Sequence, residues 1–288
     1  MLHINKEHST CLFSKEIPPA AQVQCGEVFR LAVWDSLQGM AAALYEGNLP
    51  RGKTVEIANP VTGPVYIEGA RKGDTLAVEI LDISLDKEGF VGLPGETGAR
   101  LCTVFHEQGK ITLEGMVFDA VPMIGCIGTA PERPIATVHP GKHGGNMDCK
   151  MIQKGATLRL PVFADGGLLS AGDIHAYQGD GEAFGQGLEI GGSILLRVQV
   201  LKNTAALAPL LFLGDTVAAI GSAESIQECE SVASEALLRF LVDEQGLPFD
   251  KAILLIAVFG ELRVCQIVNS LVTARMELSL RLLQRSRQ

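Results

Sequence analysis

Aromatic and basic side chains are scarce in this sequence. Among its 288 residues there are one tryptophan and three tyrosines, and 24 Lys and Arg stand against 33 Asp and Glu, giving a formal net charge of −9. A nucleic-acid-binding protein meets the phosphates with clustered Lys and Arg. The charge balance therefore argues against nucleic acid as a partner and against docking on an anionic membrane.

Long apolar runs are also missing. A transmembrane helix needs roughly 18 or more apolar residues, and the longest runs here, near 252–259 and 205–213, are shorter. The N-terminal residues lack the basic and apolar regions of a signal peptide. The seven cysteines are far apart and include no Cys-x-x-Cys pair. Together these features predict reduced thiols in a cytoplasmic protein rather than a disulfide scaffold or a zinc ribbon.

The motifs of several common chemistries are absent. The sequence has no Gly-x-Ser-x-Gly turn, no phosphate-binding loop and no Gly-x-Gly-x-x-Gly after a predicted strand. This argues against a serine hydrolase of that type and against a nucleotide cofactor. A cysteine nucleophile stays open, because Cys149 lies between Asp148 and Lys150 and a nearby cation lowers the pKa of a thiol. Cys126 is flanked by apolar residues and is predicted to lie in the core.

Glycine, in contrast, is abundant, with 32 residues. A turn glycine followed by an alternating strand recurs in residues 24–33, 71–80, 153–162 and 191–200. In the second segment Leu76, Val78 and Ile80 share one face of the strand. With further short runs at 110–113 and 117–121, the pattern predicts a mainly β protein whose body is an antiparallel β-sandwich or barrel.

The pattern changes near residue 203. We predict a β-rich body over 1–203 and a smaller α+β portion over 204–288 packed on it. In the second part the spacing of apolar residues predicts a helix over 222–242, capped by Ser222. The continuous apolar run 252–259 suits a buried strand, and 263–281 suits another helix.

The first polar cluster lies at residues 139–148. His143 and Asp148 are metal-ligand types, and Gly144 and Gly145 between them let the backbone turn sharply. Histidine with carboxylates is typical of zinc, whereas oxygen-rich sets suit calcium or manganese. The alternative is a polar turn in which Asn146 and Asp148 bind backbone amides.

The second polar cluster lies at residues 172–182. Asp173 and His175 are two residues apart, so on a strand their side chains lie on the same face. Asp180 and Glu182 repeat this spacing after a glycine turn. The alternative is an acidic, solvated hairpin, but two such clusters in one chain favour a metal site.

Several segments resemble the acetamidase/formamidase family. They are His143–Asp148 and residues 172–182, together with 59–70, 122–131 and 262–269. The resemblance implies hydrolysis of short aliphatic amides to carboxylate and ammonia, a β-sandwich-like core with added α+β elements, and a homo-oligomer. It also implies bound divalent metal, zinc and/or calcium.

Two segments depart from the family pattern. After Glu182 the family has small residues and often a cysteine, whereas this chain has Phe184 within Ala-Phe-Gly-Gln. We expect this phenylalanine to narrow or reshape the substrate pocket. Residues 218–225 lack the Thr-Gly-rich form of the family, which leaves the identity of the amide open.

Four residues are the main candidates for metal ligands: His143, Asp148, Asp173 and His175. Asp35, at the end of a predicted strand, either completes this set or forms a turn, which aspartate commonly does. Glu182 is the candidate general base or a further ligand. Asn146, Gln178 or glycine amides are candidates for stabilising the tetrahedral oxyanion.

Two other functions remain open. One is a metal-dependent hydrolase of another small carbonyl substrate, such as a cyclic amide or a carbamate. The other is a non-enzymatic β-sandwich in which calcium is purely structural.

Overall fold

Strands, mostly antiparallel, are the main secondary structure of the protein. The computed structural model describes residues 1–46, 57–93, 100–204 and 206–286. Within these residues, eighteen strands are connected by hydrogen bonds into one sheet system, and two short strands pair separately. Over these described ranges the sheet does not close into a barrel. The predicted mainly β, antiparallel fold is confirmed.

The strands are numbered in chain order. The first ten are β1 Leu2–Ile4, β2 Ser9–Thr10, β3 Leu12–Phe13, β4 Ala21–Val23, β5 Val28–Val33, β6 Val61–Ile67, β7 Thr75–Leu93, β8 Arg100–Glu107, β9 Lys110–Leu113 and β10 Met116–Asp119. The others are β11 Met123–Gly128, β12 Ile135–Ala136, β13 Gly144–Asn146, β14 Thr157–Pro161, β15 Leu169–His175, β16 Glu189–Leu201, β17 Leu210–Leu213, β18 Thr216–Ala223, β19 Glu261–Gln266 and β20 Val272–Ser279.

Helices are short and lie mainly near the C-terminus. The α-helices are α1 Ala41–Tyr45, α2 Ile226–Arg239, α3 Phe249–Phe259 and α4 Arg281–Ser286. A π-helix at Phe240–Glu244 continues α2, and 3-10 turns occur at Lys6–His8 and Ala183–Gly185. In the described part of the chain, no helix is long and apolar enough to cross a membrane.

The long strands β7 and β16 form the centre of the sheet. They pair antiparallel, with Thr75 opposite Leu201 at one end and Phe90 opposite Glu189 at the other. The four strands predicted after turn glycines correspond to β5, β7, β14 and β16. Leu76, Val78 and Ile80 are all buried, as the alternating pattern predicts.

Two large hydrophobic clusters underlie the sheet. The larger gathers side chains mostly from the first two hundred residues, and the smaller joins β17, β18 and β20 to α2 and α3. The sheet continues from one part to the other because β14 pairs with β17. The division into 1–203 and 204–288 stays a prediction.

The predicted helix over 222–242 begins later than expected. Ser222 lies in β18, and the N-cap is Ser225, whose hydroxyl accepts a hydrogen bond from the Glu228 amide at 3.2 Å. Ser222 instead hydrogen-bonds Thr273 on the neighbouring strand. Strand pairing between β18 and β20 thus extends past the serine that the sequence favoured as the cap.

The strand predicted over 252–259 is wrong, because these residues form most of helix α3. Only Ala252 and Leu255 of this helix are buried, three residues apart as on one helix face. A continuous apolar run does not distinguish a strand from a helix by periodicity. The run is apolar on the exposed face of the helix as well.

The helix predicted over 263–281 is also wrong, because these residues belong mainly to the hairpin of β19 and β20. The misleading feature was the apolar pair Ala274 and Leu278. Residues four apart lie on the same side of both a helix and a strand. Met276, between them, is buried on the same strand face, which fits the strand.

Candidate metal centre

Strand β11 lies between the two polar clusters and brings them together. It pairs with β13 along one edge and with β15 along the other. The register places its Gly125 opposite Asp173, and the Gly125 carbonyl accepts a hydrogen bond from the Asp148 amide at 3.1 Å. Residues that are distant in sequence therefore meet at one strand.

Four carboxylates and one imidazole converge at this place. Ligand atoms of Asp148, Asp173 and His175 lie within 4.8 Å of one another, and so do those of His175, Glu182 and Glu189. The His175 Nε2 atom is 3.6 Å from Asp173 Oδ1 and 3.4 Å from Glu189 Oε2. All of these side chains are buried, so the centre is strongly acidic and shielded from solvent.

The backbone at the centre adopts conformations that side chains disfavour. Asp148, Asp173 and Glu182 have φ of 47°, 55° and 47°, in the left-handed region that glycine tolerates best. Gly125 supplies the space between them, because a Cβ atom there would lie 2.7 Å from Asp148 Oδ1 and 2.8 Å from Asp173 Oδ2. Such local strain is typical of functional sites.

Asparagine amides orient the two aspartates. Asn59 Nδ2 donates to Asp173 Oδ2 at 2.8 Å and to Asn146 Oδ1 at 3.0 Å. Asn269 Nδ2 donates to Asp148 Oδ2 at 3.2 Å. Each aspartate therefore has its Oδ2 held by an amide, while its Oδ1 has no hydrogen-bond partner among the described residues.

Gln178 links the two clusters and fixes the tautomer of His175. Its Nε2 donates to the carbonyl of Asp148 at 2.7 Å, so its Oε1 faces His175 Nδ1 at 2.6 Å. Since Oε1 only accepts, Nδ1 carries a proton. With Nδ1 engaged in this way, Nε2 faces the carboxylates and is the nitrogen available to a metal ion, as in a metal-bound histidine.

Several buried polar atoms of the candidate ligands lack hydrogen-bond partners within the described residues. They are His143 Nε2, Asp148 Oδ1, Asp173 Oδ1, Glu182 Oε2 and Glu189 Oε2. Buried polar atoms are nearly always hydrogen-bonded or bound to an ion, because an unpaired one is costly. Carboxylate oxygens beside an imidazole nitrogen form a donor set that fits a divalent metal ion.

The pKa shifts express the same excess of negative charge. Burial raises the pKa of Asp148 and Asp173, and it raises the pKa of Glu182 to about 7. Burial alone would lower the pKa of His175, but Glu189 and Asp173 hold it well above its usual value. Protonation of these side chains thus neutralises part of the negative charge that a bound cation would otherwise balance.

His143 belongs to neither of the two groups of converging ligand atoms. Burial lowers the pKa of His143 to about 4, so its ring is neutral near pH 7. The ring packs edge-on against Phe13 with centroids 5.0 Å apart. Its Nε2 nevertheless lacks a hydrogen-bond partner in the described part of the chain, as a ligand nitrogen would before binding.

Two predicted acids have other partners. Asp35 Oδ1 accepts hydrogen bonds from the Leu37 and Gly39 amides, both at 2.9 Å, which is the turn-forming alternative raised by the sequence. Asp180 binds the buried Arg275 and does not share a face with Glu182. The alternation expected for these acids fails because residues 176–182 form a loop rather than a strand.

Two further residues lie away from the converging carboxylates. The Phe184 side chain is 83% exposed, so its ring projects from the loop instead of narrowing the pocket. The backbone there has φ of 65°. Cys149 is fully buried and its thiol contacts that of Cys265, which removes it from solvent and from an incoming substrate.

The sequence interpretation missed Glu189, which is opposite His175 in the register of β15 and β16. Its Oε1 accepts a hydrogen bond from the Gly187 amide at 3.2 Å. One signal was available, because Glu189 is a single acid between Leu188 and Ile190 at the start of an apolar strand. A buried carboxylate requires a compensating partner.

Comparison with known proteins gives solved structures of similar fold and length. The crystal structure of an acetamidase from Bacillus halodurans superposes with a TM-score of 0.91 at 34% identity, and the match covers 99% of both chains. The superposition therefore includes the C-terminal part of the chain.

Curated relatives match a shorter stretch. An acetamidase from Mycolicibacterium smegmatis is 26% identical over 262 residues, covering 65% of this chain and 64% of the relative. A formamidase from Methylophilus methylotrophus is 28% identical over 255 residues, covering 65% and 63%. The chain thus spans less than two thirds of the length of the curated relatives it matches.

The match to a protein family is broader. The sequence profile described as the Acetamidase/Formamidase family matches residues 3–136 and 132–219. These ranges include both polar clusters and β11 between them. The chain belongs to the acetamidase/formamidase family.

Proposed function

We propose that this protein hydrolyses short aliphatic amides to carboxylate and ammonia at a divalent metal held by Asp148, Asp173 and His175. One observation carries the proposal: unpaired carboxylate oxygens and the imidazole nitrogen of these residues converge in a buried, acidic centre. The named acetamidase and formamidase relatives support the amide as substrate.

We propose zinc as the metal. Calcium prefers shells of oxygen ligands alone, whereas zinc commonly combines histidine with carboxylates. The contribution of His175, with Nε2 directed at the carboxylates by Gln178, favours zinc. His143 and Glu189 are further candidate ligands. A divalent metal supplies Lewis acidity toward the amide carbonyl and toward water.

We assign the general base to Glu182. Its pKa of about 7 lets the carboxylate accept a proton from water near neutral pH and return it to the departing amine. Its Oε2 has no hydrogen-bond partner among the described residues, which is consistent with a proton-transfer role. A general base works best when its pKa lies close to the working pH.

We assign oxyanion stabilisation to Asn146 rather than Gln178. Asn146 Oδ1 accepts a hydrogen bond from Asn59 Nδ2. This contact orients the Asn146 side chain so that its Nδ2 group serves as the donor. Both ends of the Gln178 amide are engaged by His175 and Asp148, so Gln178 acts as a positioning residue. Asp35 lies in its turn outside the converging ligands, and after burial and Glu189 its charge also raises the pKa of Asp173.

Two further properties remain predictions. The family resemblance implies assembly as a homo-oligomer, and the cysteine pattern and N-terminal sequence predict a cytoplasmic location. The reduced state of all seven cysteines in the structure is compatible with the second.

The test combines metal analysis with ammonia release from formamide, acetamide and larger amides. We expect bound zinc and turnover of the short amides. The variant His175→Ala should lose both, whereas His3→Ala, the same change at an exposed histidine, should keep both. Hydrolysis of cyclic amides or carbamates alone would reject the assigned substrate. Loss of folding on chelation, without any hydrolase activity, would point to a structural calcium ion.

A further inference from the structure

A buried arginine on strand β20 has no part in the reaction described so far. Arg275 is 2% exposed. Its guanidinium binds Asp180 through two contacts, Nη1 to Oδ1 at 2.8 Å and Nη2 to Oδ2 at 3.1 Å. Its Nε donates to Glu277 Oε1 at 2.6 Å, and Nη1 also donates to the Val264 carbonyl at 3.3 Å. A two-pronged contact of this kind fixes direction as well as distance.

Stability alone is a weak reason for burying this charge. The free energy of removing an ion pair from water often exceeds the attraction between its charges, and an apolar side chain of similar size often stabilises a protein as well. Buried ionic groups serve in some proteins to select one geometry. Arg275 belongs to a strand and Asp180 to a loop, so their contact determines where the loop lies on the sheet.

This loop, residues 176–182, carries the assigned general base Glu182. It forms neither a helix nor a strand and contains Gly179 and Gly181. Glycine loses more conformational freedom on ordering than any other residue, so such a loop needs attachments to keep one conformation. Glu182 Oε2 has no hydrogen-bond partner among the described residues. Its position therefore depends on where the backbone of the loop is held.

Two consecutive residues attach the loop to the hairpin of β19 and β20. The Gly181 amide donates to the carbonyl of Cys265 at 3.0 Å, and Asp180 binds Arg275. Lys150 Nζ also lies 3.0 Å from Asp180 Oδ2, but the Lys150 side chain is largely exposed and such contacts contribute little. Both attachments to the hairpin come directly before Glu182 in the chain.

We propose that Arg275 is a positioning residue, which holds Glu182 at the metal centre by fixing Asp180. The role of Glu182 as base rests on the proposed function, whereas the anchoring of the loop does not. Misplacing a reacting group by about 1 Å can lower turnover roughly 100-fold. Loss of the anchor should therefore reduce kcat even though Arg275 does not touch the reacting atoms.

Asp180→Asn in the full chain, with its metal bound, tests the proposal. Asparagine keeps the shape of the side chain and removes the charge that binds Arg275. We expect kcat for formamide or acetamide to fall about 10- to 100-fold, with KM and metal content unchanged, because a base acts in the transition state. Unchanged kcat would overturn the positioning role.

Asp82→Asn is the matched control for this variant. Asp82 forms an ion pair with Lys154 at 2.8 Å, and its side chain is 33% exposed, against 29% for Asp180. It lies on β7 and contacts none of the candidate ligands. Asp82→Asn should therefore keep the kcat of the unmodified chain.

Two substitutions of Arg275 separate positioning from packing. Arg275→Lys keeps the positive charge that binds Asp180, whereas Arg275→Met keeps only the apolar bulk. Positioning predicts a higher kcat in Arg275→Lys. Packing predicts that methionine serves at least as well, because apolar residues readily replace buried ions. Equal kcat in the two variants, or a higher kcat in Arg275→Met, would overturn the proposal.

Hydrogen exchange measures the anchor without reference to activity. In Asp180→Asn the hydrogen-bonded amides of Gly181, Glu182 and Gly185 should exchange faster, while those of β7 and β16 stay protected. Unchanged exchange in the loop would overturn the inference even if kcat fell. An unmodified chain that hydrolyses no amide would reject the proposed function instead, and hydrogen exchange alone would then decide whether Asp180 and Arg275 hold the loop.

Discussion

Gln178 Oε1 lies 2.6 Å from His175 Nδ1, and this contact determines which nitrogen of His175 faces the acidic centre. The orientation of Gln178 follows from its second contact, because its Nε2 donates to the Asp148 carbonyl. One amide thereby connects a ligand candidate from each polar cluster.

Replacement of Gln178 should weaken metal binding without unfolding the protein. Gln178→Ala frees the His175 ring to rotate and to exchange tautomers, so we expect about 10- to 100-fold lower metal affinity. Competition with a chromogenic chelator measures this affinity. Gln22→Ala, at an exposed glutamine, is the control. Unchanged affinity in Gln178→Ala would remove the positioning role.

The space at Gly125 should be essential for the centre. An added Cβ would lie 2.7 Å from Asp148 Oδ1 and 2.8 Å from Asp173 Oδ2, which is closer than side-chain atoms pack. Gly125→Ala should therefore displace a carboxylate and abolish metal binding and amide hydrolysis. Calorimetric metal titration and ammonia release measure the two effects.

Gly179 offers a matched control for this substitution. A Cβ at Gly179 has no neighbour within 4 Å, and its φ lies outside the left-handed region. Gly179→Ala should keep metal and activity. Retention of both properties in Gly125→Ala as well would show that the two aspartates do not need their present positions.

The stability of the metal-free protein should fall as the pH rises from about 4.5 to 7. Burial raises the pKa of Glu182 from 4.5 to about 7 in the folded state, so the folded protein binds more protons than the unfolded chain in this interval. The contribution of Glu182 to the free energy of unfolding is fully present below pH 4.5 and is lost as the pH rises through 7. The shift corresponds to roughly 3 kcal/mol.

Urea unfolding in the presence of a chelator, at several pH values, measures this effect. Glu182→Gln carries no titrating group at this position, so the fall in the free energy of unfolding should be smaller by that amount. Glu16→Gln, at an exposed glutamate, should follow the unmodified chain. An identical pH dependence in Glu182→Gln would contradict the buried, protonated state of this carboxyl.

Local patterns in the sequence predicted some features of the centre. Asp173 and His175 lie two residues apart on a real strand, and their side chains approach within 3.6 Å. The same spacing failed for Asp180 and Glu182, because the glycines there form a loop. Alternation is informative only where the backbone is extended.

Other features depend on tertiary structure and have no local pattern. Asn59 and Asn269 contact the aspartates across more than a hundred residues of chain. Glu189 joins the centre through the pairing of β15 with β16. The C-terminal hairpin was mistaken for a helix because Ala274 and Leu278 fit both periodicities. Sheet neighbours, rather than local propensity, determine these structures.

The most direct test of the account is removal and return of zinc with acetamide or formamide as substrate. Chelated protein should remain folded at low pH, release no ammonia, and regain turnover in proportion to the zinc added, up to the stoichiometry found by metal analysis. His175→Ala should not regain it. Full ammonia release by protein shown to be free of metal would contradict the central claim.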